Sequence, residues 1–196
     1  MAVTSSLRPE TVVPRLRGRF GHPYLFVDVC PSTQRLLGDE HSEGAVALTE
    51  EQTEGRGRLG RRWLSPPGVS LLFSLLLEPR VETARLPELT LVAGQAGAEA
   101  IAQVTGLAPE IKLPNDILVG RRKTAGILAE ARDGRVVLGI GINVNIPKEQ
   151  LPQEVDVPAT SLLVETGREV DRAELLVELL ERLERRYDAW VTASPG

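Results

Sequence analysis

The sequence predicts an α+β fold built on a mixed, largely antiparallel sheet with helices packed against it. Three observations predict it. Short apolar segments are separated by hairpin-type turns, above all Asp133-Gly134. One long stretch, Leu86 to Val104, carries small and apolar residues at helical spacing. A second, opened by Asp171, carries Leu175, Leu176, Leu179, Leu180, Leu183, Tyr187 and Trp190 as a core-facing stripe. Hairpin-joined strands with inserted helices suit this class.

In chain order, Tyr24 to Cys30 reads as a strand. Ser32-Thr33 follows a proline and is placed to cap a helix running to about Glu40. Ala45 to Thr49 is a short strand. Val69 to Leu77 is apolar on both faces for most of its length, which predicts a central strand. Pro87 suits the first turn of the Leu86–Val104 helix, and Gly106 suits its end. Glu110 to Leu113, Ile117 to Val119, Thr124 to Ala131 and Arg135 to Val144 read as further strands. Pro147 to Pro158 is proline-rich and acidic, hence a loop. Residues 1–22 form an N-terminal arm, either mobile or a short packed helix, and residues 23–192 one domain. The arm's first 19 residues hold Arg8, Arg15, Arg17 and Arg19 against Glu10 alone.

The formal net charge of −4 opposes general nucleic-acid binding, which needs a basic surface. A single cysteine, Cys30, allows no internal disulfide, and its apolar setting suits a buried structural thiol. His22 and His41 lack metal-ligand spacing. No apolar run reaches membrane-spanning length and no signal-peptide core opens the chain, so a cytoplasmic protein without membrane attachment is expected.

Against this acidic body, Glu54-Gly-Arg-Gly-Arg-Leu-Gly-Arg-Arg-Trp63 concentrates four arginines and three glycines in ten residues. Glycine lets backbone approach a ligand, and arginine offers a fork of donors to carboxylate or phosphate. The run contains G-x-G-x-x-G, but Pro66 and Pro67 forbid the helix that a dinucleotide fingerprint requires. A nonspecific nucleic-acid loop or a merely solvated one remains the plainer alternative.

Four other segments carry polar chemistry. They are Asp28-Val-Cys-Pro-Ser32-Thr33-Gln34, Lys112-Leu-Pro-Asn115-Asp116, Lys123-Thr-Ala-Gly126-Ile-Leu128, and Gly139-Ile-Gly141-Ile-Asn143-Val-Asn145. Singly, each has a plain reading: an N-cap, a turn, a solvated lysine, a β-bulge. Glycine and asparagine are nevertheless poor strand residues, and their alternation suggests a ligand or another backbone close by.

Taken together and in order, these segments resemble the catalytic domain of the biotin protein ligases, the biotin–[acetyl-CoA carboxylase] ligases, over roughly Phe26 to Asn145. The matching pieces are Ser32-Thr33-Gln34, Gln52 to Arg58 with Trp63, Lys112 to Asp116, Lys123 to Glu130, and Gly141 to Asn143. The resemblance implies a class II synthetase-like domain that uses ATP and Mg2+ to make biotinyl-5′-adenylate. It then transfers biotin to a lysine of the biotin carboxyl carrier protein. It implies catalytic roles for Arg56, Lys112, Asp116 and Lys123. It implies biotin binding by Ser32, Thr33, Gln34, Gln52, Gly55, Arg56, Gly57, Lys123 and Gly126. Adenylate binding falls to Arg58, Arg61, Trp63, Asn115, Asp116 and Asn143, with magnesium near Asp116. It also implies a homodimer through the edge of the Arg135–Val144 strand and no DNA partner. The chain is expected to lack the helix-turn-helix domain of repressor-type members and the small SH3-like C-terminal domain. Three positions depart from the family pattern. Gln34 stands for the usual Asn, Glu54 for a small residue, and Leu113 for Trp. A lipoate–protein ligase or lipoyl transferase is the nearest alternative, and a non-catalytic biotin-binding regulator a third.

Overall fold

The computed structural model describes residues 6–152 and 157–193. Seven strands form one sheet: β1 (Tyr24–Cys30), β2 (Val46–Gln52), β3 (Leu71–Leu77), β4 (Glu110–Lys112), β5 (Asp116–Val119), β6 (Arg122–Arg132) and β7 (Arg135–Ile142). Their order is β1-β2-β3-β7-β6-β5-β4, with β1 and β2 parallel and every other pair antiparallel. The mixed, largely antiparallel expectation therefore holds. Asp133 and Gly134 turn the β6–β7 hairpin with φ of 51° and 80°, as a two-residue primed turn requires.

Four helices accompany the sheet: α1 (Pro9–Val12), α2 (Glu88–Thr105), α3 (Leu162–Thr166) and α4 (Arg172–Thr192). The alternation of side chains along each strand sends two different sets to its two faces. Leu71, Phe73, Leu75 and Leu77 of β3 join Val136, Leu138, Ile140 and Ile142 of β7 in the core beneath α2 and α4. The small residues of α2 let it lie close. A Cβ on Gly97 would stand 2.8 Å from Ile117 Cδ1. The opposite face carries Ser74, Gly126, Gly139 and Gly141, and is met by the segment after Ser32 at Ser74 and Gly139.

Of the two readings for the N-terminal arm, the packed one is observed among the described residues. Leu7, Val12 and Phe20 are buried in the main core. The Phe20 ring lies 5.7 Å from that of Tyr187 on α4, and Arg19 pairs with Glu184 and Asp188.

Two expectations need correction. The segment after Ser32 is not a helix to Glu40 but a single three-ten turn, Thr33–Leu36, and Ser32 makes no side-chain cap. The Thr33 N–H donates to Gln52 Oε1 instead, and Leu37 is already extended. The Arg135–Val144 strand offers no free edge for a dimer, because β7 is paired with β3 on one side and β6 on the other. The Pro147–Pro158 loop contains a three-ten turn, Lys148–Gln150, and residues 153–156 of it lie outside the described residues.

α4 begins with an N-cap from Asp171, whose Oδ1 accepts from the N–H groups of Ala173 and Glu174. Its first residue is a cation, Arg172, which the helix dipole disfavours. The compensation is a buried ion pair. Arg172 Nη1 lies 2.5 Å from Glu50 Oε2 and also donates to Ser70 O. The Glu50→Gln substitution removes the Glu50 carboxylate from this buried guanidinium. It is expected to cost about 3 kcal/mol, read by urea denaturation, and a loss below about 1 kcal/mol would equate the pair with an ordinary surface bridge.

Candidate active site

The face of the sheet opposite α2 and α4 holds a cavity of about 830 Å3, inside the usual range for small-molecule sites. Its floor is made where β6 meets β7. Gly126 and Gly141 are direct partners across this pair, and Gly139 follows one pleat away. What approaches them closely is a side chain. A Cβ on Gly126 would come within 2.8 Å of the Trp63 ring, and one on Gly141 within 2.7 Å. The Trp63 ring thus packs directly against the glycine pair. Its Nε1–H is buried without a partner among the described residues.

Trp63 arrives there through the Arg/Gly loop, which folds back on itself as a small ribbon. Arg56 bridges to Arg62, the Gly57 N–H donates to Arg61 O, and the Trp63 N–H donates to Gly55 O. The ribbon tip is a three-ten turn, Arg58–Gly60. Gly55 is tightly placed, since a Cβ there would meet Trp63 O at 2.5 Å. Of the residues assigned to the site from sequence, Gly55 alone does not line the main cavity; it lines a smaller one on the loop's outer side.

Part of the cavity lining is neutral and polar. Gln52 Oε1 accepts from both the N–H and the hydroxyl of Thr33, whose hydroxyl also meets Ser74 Oγ at 2.8 Å. This leaves the Gln52 amide nitrogen as the group without a bond to Thr33. Ser32 and Thr33 are buried. Gln34, the residue in place of Asn, reaches over Gly139 and donates to Leu128 O at 3.1 Å.

The rest of the polar lining is charged. Lys123 Nζ lies 2.7 Å from Asp116 Oδ1, an ion pair set by distance without hydrogen-bond alignment. The same ammonium stands 5.6 Å from the centroid of the Trp63 ring. Arg56 pairs with Glu130 of β6 at 2.5 Å. Among the described residues, six cations line the cavity (Arg56, Arg58, Arg61, Arg62, Lys112 and Lys123) and one carboxylate, Asp116. In a partly desolvated cleft such an excess selects anions.

Asn115 and Asn143 also line the cavity, but each commits its amide nitrogen to backbone, Asn115 to Ile127 O and Asn143 to Thr160 O. The structure moves Glu54 out of the main cavity. It pairs with Arg35 at 2.7 Å on the outer side of the loop. The Cys30 thiol is pushed upward by burial, as a structural thiol should be. Sequence reading missed three contributors. Ser74 had a signal, being the one polar residue in the Leu71–Leu77 strand. Arg62 sat within the loop but was given no role. Ala159 had no signal; it reaches the cavity because its segment pairs in parallel with Lys123.

The pattern of the biotin/lipoate A/B protein ligase family matches residues 26–146, more than half of the chain. The chain belongs to the biotin/lipoate A/B protein ligase family. It is 38% identical over 181 residues to the bifunctional ligase/repressor BirA of Bacillus spizizenii, covering 88% of this chain and 56% of that protein. It is 38% identical over 161 residues to the biotin–[acetyl-CoA-carboxylase] ligase of Mycobacterium tuberculosis, covering 78% and 58%. The chain thus spans a little over half the length of these curated relatives. The biotin protein ligase of Aquifex aeolicus in complex with biotin and ATP superimposes with a TM-score of 0.79 at 36% identity, covering 87% of this chain and 72% of that one.

In this family member the glycine floor and Trp63 are mutually dependent. The Gly141→Ala substitution places a methyl group inside the ring's contact distance, so Trp63 must lift. In a Trp190→Phe background, where Trp63 is the sole tryptophan, Gly141→Ala is expected to shift emission to the red. An unshifted spectrum would show that the ring does not rest on Gly141.

Proposed function

We propose that this chain is a biotin–protein ligase. Its substrates are biotin, ATP and a lysine of a biotin carboxyl carrier protein. The observation that carries the reading is a cavity whose described lining combines neutral polar side chains with six cations and one carboxylate. Biotin has groups that match both kinds. Its ureido ring needs neutral donors and acceptors, which Ser32, Thr33, Gln34 and Gln52 offer. Its carboxylate must meet the triphosphate, and those two anions repel. The relatives support the substrates: a biotin–[acetyl-CoA-carboxylase] ligase, and a structure holding biotin and ATP.

In the first step the biotin carboxylate oxygen attacks the α-phosphorus of ATP. A C–O–P linkage forms, and the bond to the bridging oxygen breaks to release pyrophosphate. Arg56, Arg58, Arg61, Lys112 and Lys123 offset the gathered negative charge. Lys123 is placed to exchange its loosely aligned bond to Asp116 for the carboxylate and phosphate oxygens. Magnesium fits as a passenger of ATP. The described residues contain no cluster of three His, Cys, Asp or Glu side chains, so phosphate oxygens would hold the ion with Asp116 as its protein oxygen. In the second step the ε-amine of the carrier lysine attacks the acyl carbon. An amide forms and AMP leaves. Asp116, the carboxylate among the described lining residues, orients that amine and takes its proton. The Arg/Gly loop, with Trp63 at its base, keeps water from the hydrolysable adenylate. Asn115, Asn143 and Trp63 border the adenylate, and Gly55 and Gly57 shape the loop backbone beside biotin. A homodimer and a cytoplasmic location complete the reading by analogy with the family. No helix among the described residues is long and apolar enough to cross a membrane.

The deciding experiment incubates the chain with biotin, Mg·ATP and a carrier domain and weighs the products. A gain of one biotin on the carrier is expected. Lipoate in place of biotin on the carrier, or biotin binding without ATP–pyrophosphate exchange, would overturn the reading. Within it, Lys123→Gln is expected to lower kcat/KM for adenylate formation by about a hundredfold or more, measured by pyrophosphate exchange. Asp116→Asn given preformed biotinyl-adenylate should transfer at least about tenfold more slowly. Transfer at the unsubstituted rate would remove Asp116 from the second step.

A further inference from the structure

Leu59 is held in a way that folding does not explain. It sits at the tip of the Arg/Gly ribbon with φ of 57° and ψ of 35°, the left-handed region that suits Gly or Asn. Its side chain is 89% exposed. Backbone strain and a bare leucine are both unfavourable, and Leu59 packs into no core that would offset them. Such a pairing points to function.

Leu59 is not alone. Five large apolar side chains are exposed among the described residues, and three of them, Leu59, Leu64 and Leu113, line this cavity. Leu59 and Leu64 stand on the ribbon, and Leu113 stands on the β4–β5 turn. Cations lie between them in sequence: Arg58, Arg61 and Arg62 beside the first two, Lys112 beside the third. The mouth of the cavity is therefore apolar and basic at once.

We propose that this leucine rim is the docking surface for the acceptor protein, and that Leu59 is its anchor. The proposal rests on the ligase reading, in which the acceptor lysine must reach an intermediate inside the cavity. A partner seated over the mouth would bury the three leucines together. Its surface around the lysine must be apolar with acidic residues at the margin, to complement the rim and the cations beside it. Biotin and ATP, held inside, make no demand on a side chain that points into solvent.

The test uses Leu59→Asn, which accepts the left-handed backbone and removes only the apolar group. Two rates are compared with the unsubstituted chain: biotin-dependent ATP–pyrophosphate exchange, and biotin transfer at varied concentrations of a biotin carboxyl carrier domain. Exchange within about twofold and a carrier KM raised about tenfold are expected, the loss appropriate to one buried leucine. Leu59→Met, which keeps an apolar group, should restore the KM. An unchanged KM would overturn the docking surface. So would a parallel fall in exchange and transfer, which would make Leu59 part of a lid closing on the nucleotide. If the unsubstituted chain shows no exchange at all, the ligase reading itself fails, and the surface falls with it.

Discussion

Gly126 and Gly141 face each other across adjacent strands, and the bare backbone at this pair is the constraint on which the site depends. A sheet buried on both faces would fill such a position with a branched apolar side chain. Here one face is committed to α2 and α4, through Ile127, Ile140 and their neighbours. The other face is emptied at its centre, and the space is given to a cavity and to Trp63. The cost is local, since glycine weakens a strand by roughly 0.5–1 kcal/mol per position. β7 tolerates it because it is paired along both sides and its alternate residues are buried.

The charged lining is stabilised by a related arrangement. Six cations in one cleft repel each other, and carboxylates on neighbouring strands hold at least two of them. Lys123 is held by Asp116 and Arg56 by Glu130. Both pairs are partly exposed, so each contributes little to stability, about 0–1 kcal/mol. Such weak pairs are well suited to a site. They keep the cations pointed inward, yet an incoming carboxylate or phosphate can replace the protein partner at small cost. The contrast with Arg172 and Glu50 is instructive. There the guanidinium is buried, and the pair fixes the start of α4.

Much of this was legible in the sequence, for physical reasons that differ by element. β1 was read from Tyr24 to Cys30 as observed, because an apolar run bounded by Pro23 and Pro31 has few alternatives. α2 and α4 were read from periodicity, which reports burial directly. The turn after Ser32 was misread because its hydrogen bonds go to Gln52 and the sheet, partners that local spacing cannot reveal. The edge position expected for β7 came from the family resemblance rather than from local spacing. Hairpin signals identify which strands are sequential neighbours, but the β3–β7 pairing joins segments far apart in the chain. At the site, residue types and motif order brought together the cavity-lining residues, with Gly55 displaced to the outer side. They could not show that the nearest neighbour of the strand glycines is the Trp63 ring.

Glu54 shows how a residue that looks wrong in sequence becomes consistent in three dimensions. An acid within an anion-binding loop would cancel part of the field that the arginines create. The ribbon geometry prevents this. The bridge between Arg56 and Arg62 and the bond from Trp63 to Gly55 turn the loop back directly after Glu54. Glu54 is left at the neck, on the outer side, where its N–H donates to Pro31 O and its carboxylate meets Arg35. Both contacts are to the segment that carries Ser32, Thr33 and Gln34. The acid therefore ties the base of the cationic loop to the neutral part of the cavity lining, so that movement at the tip need not disturb that part.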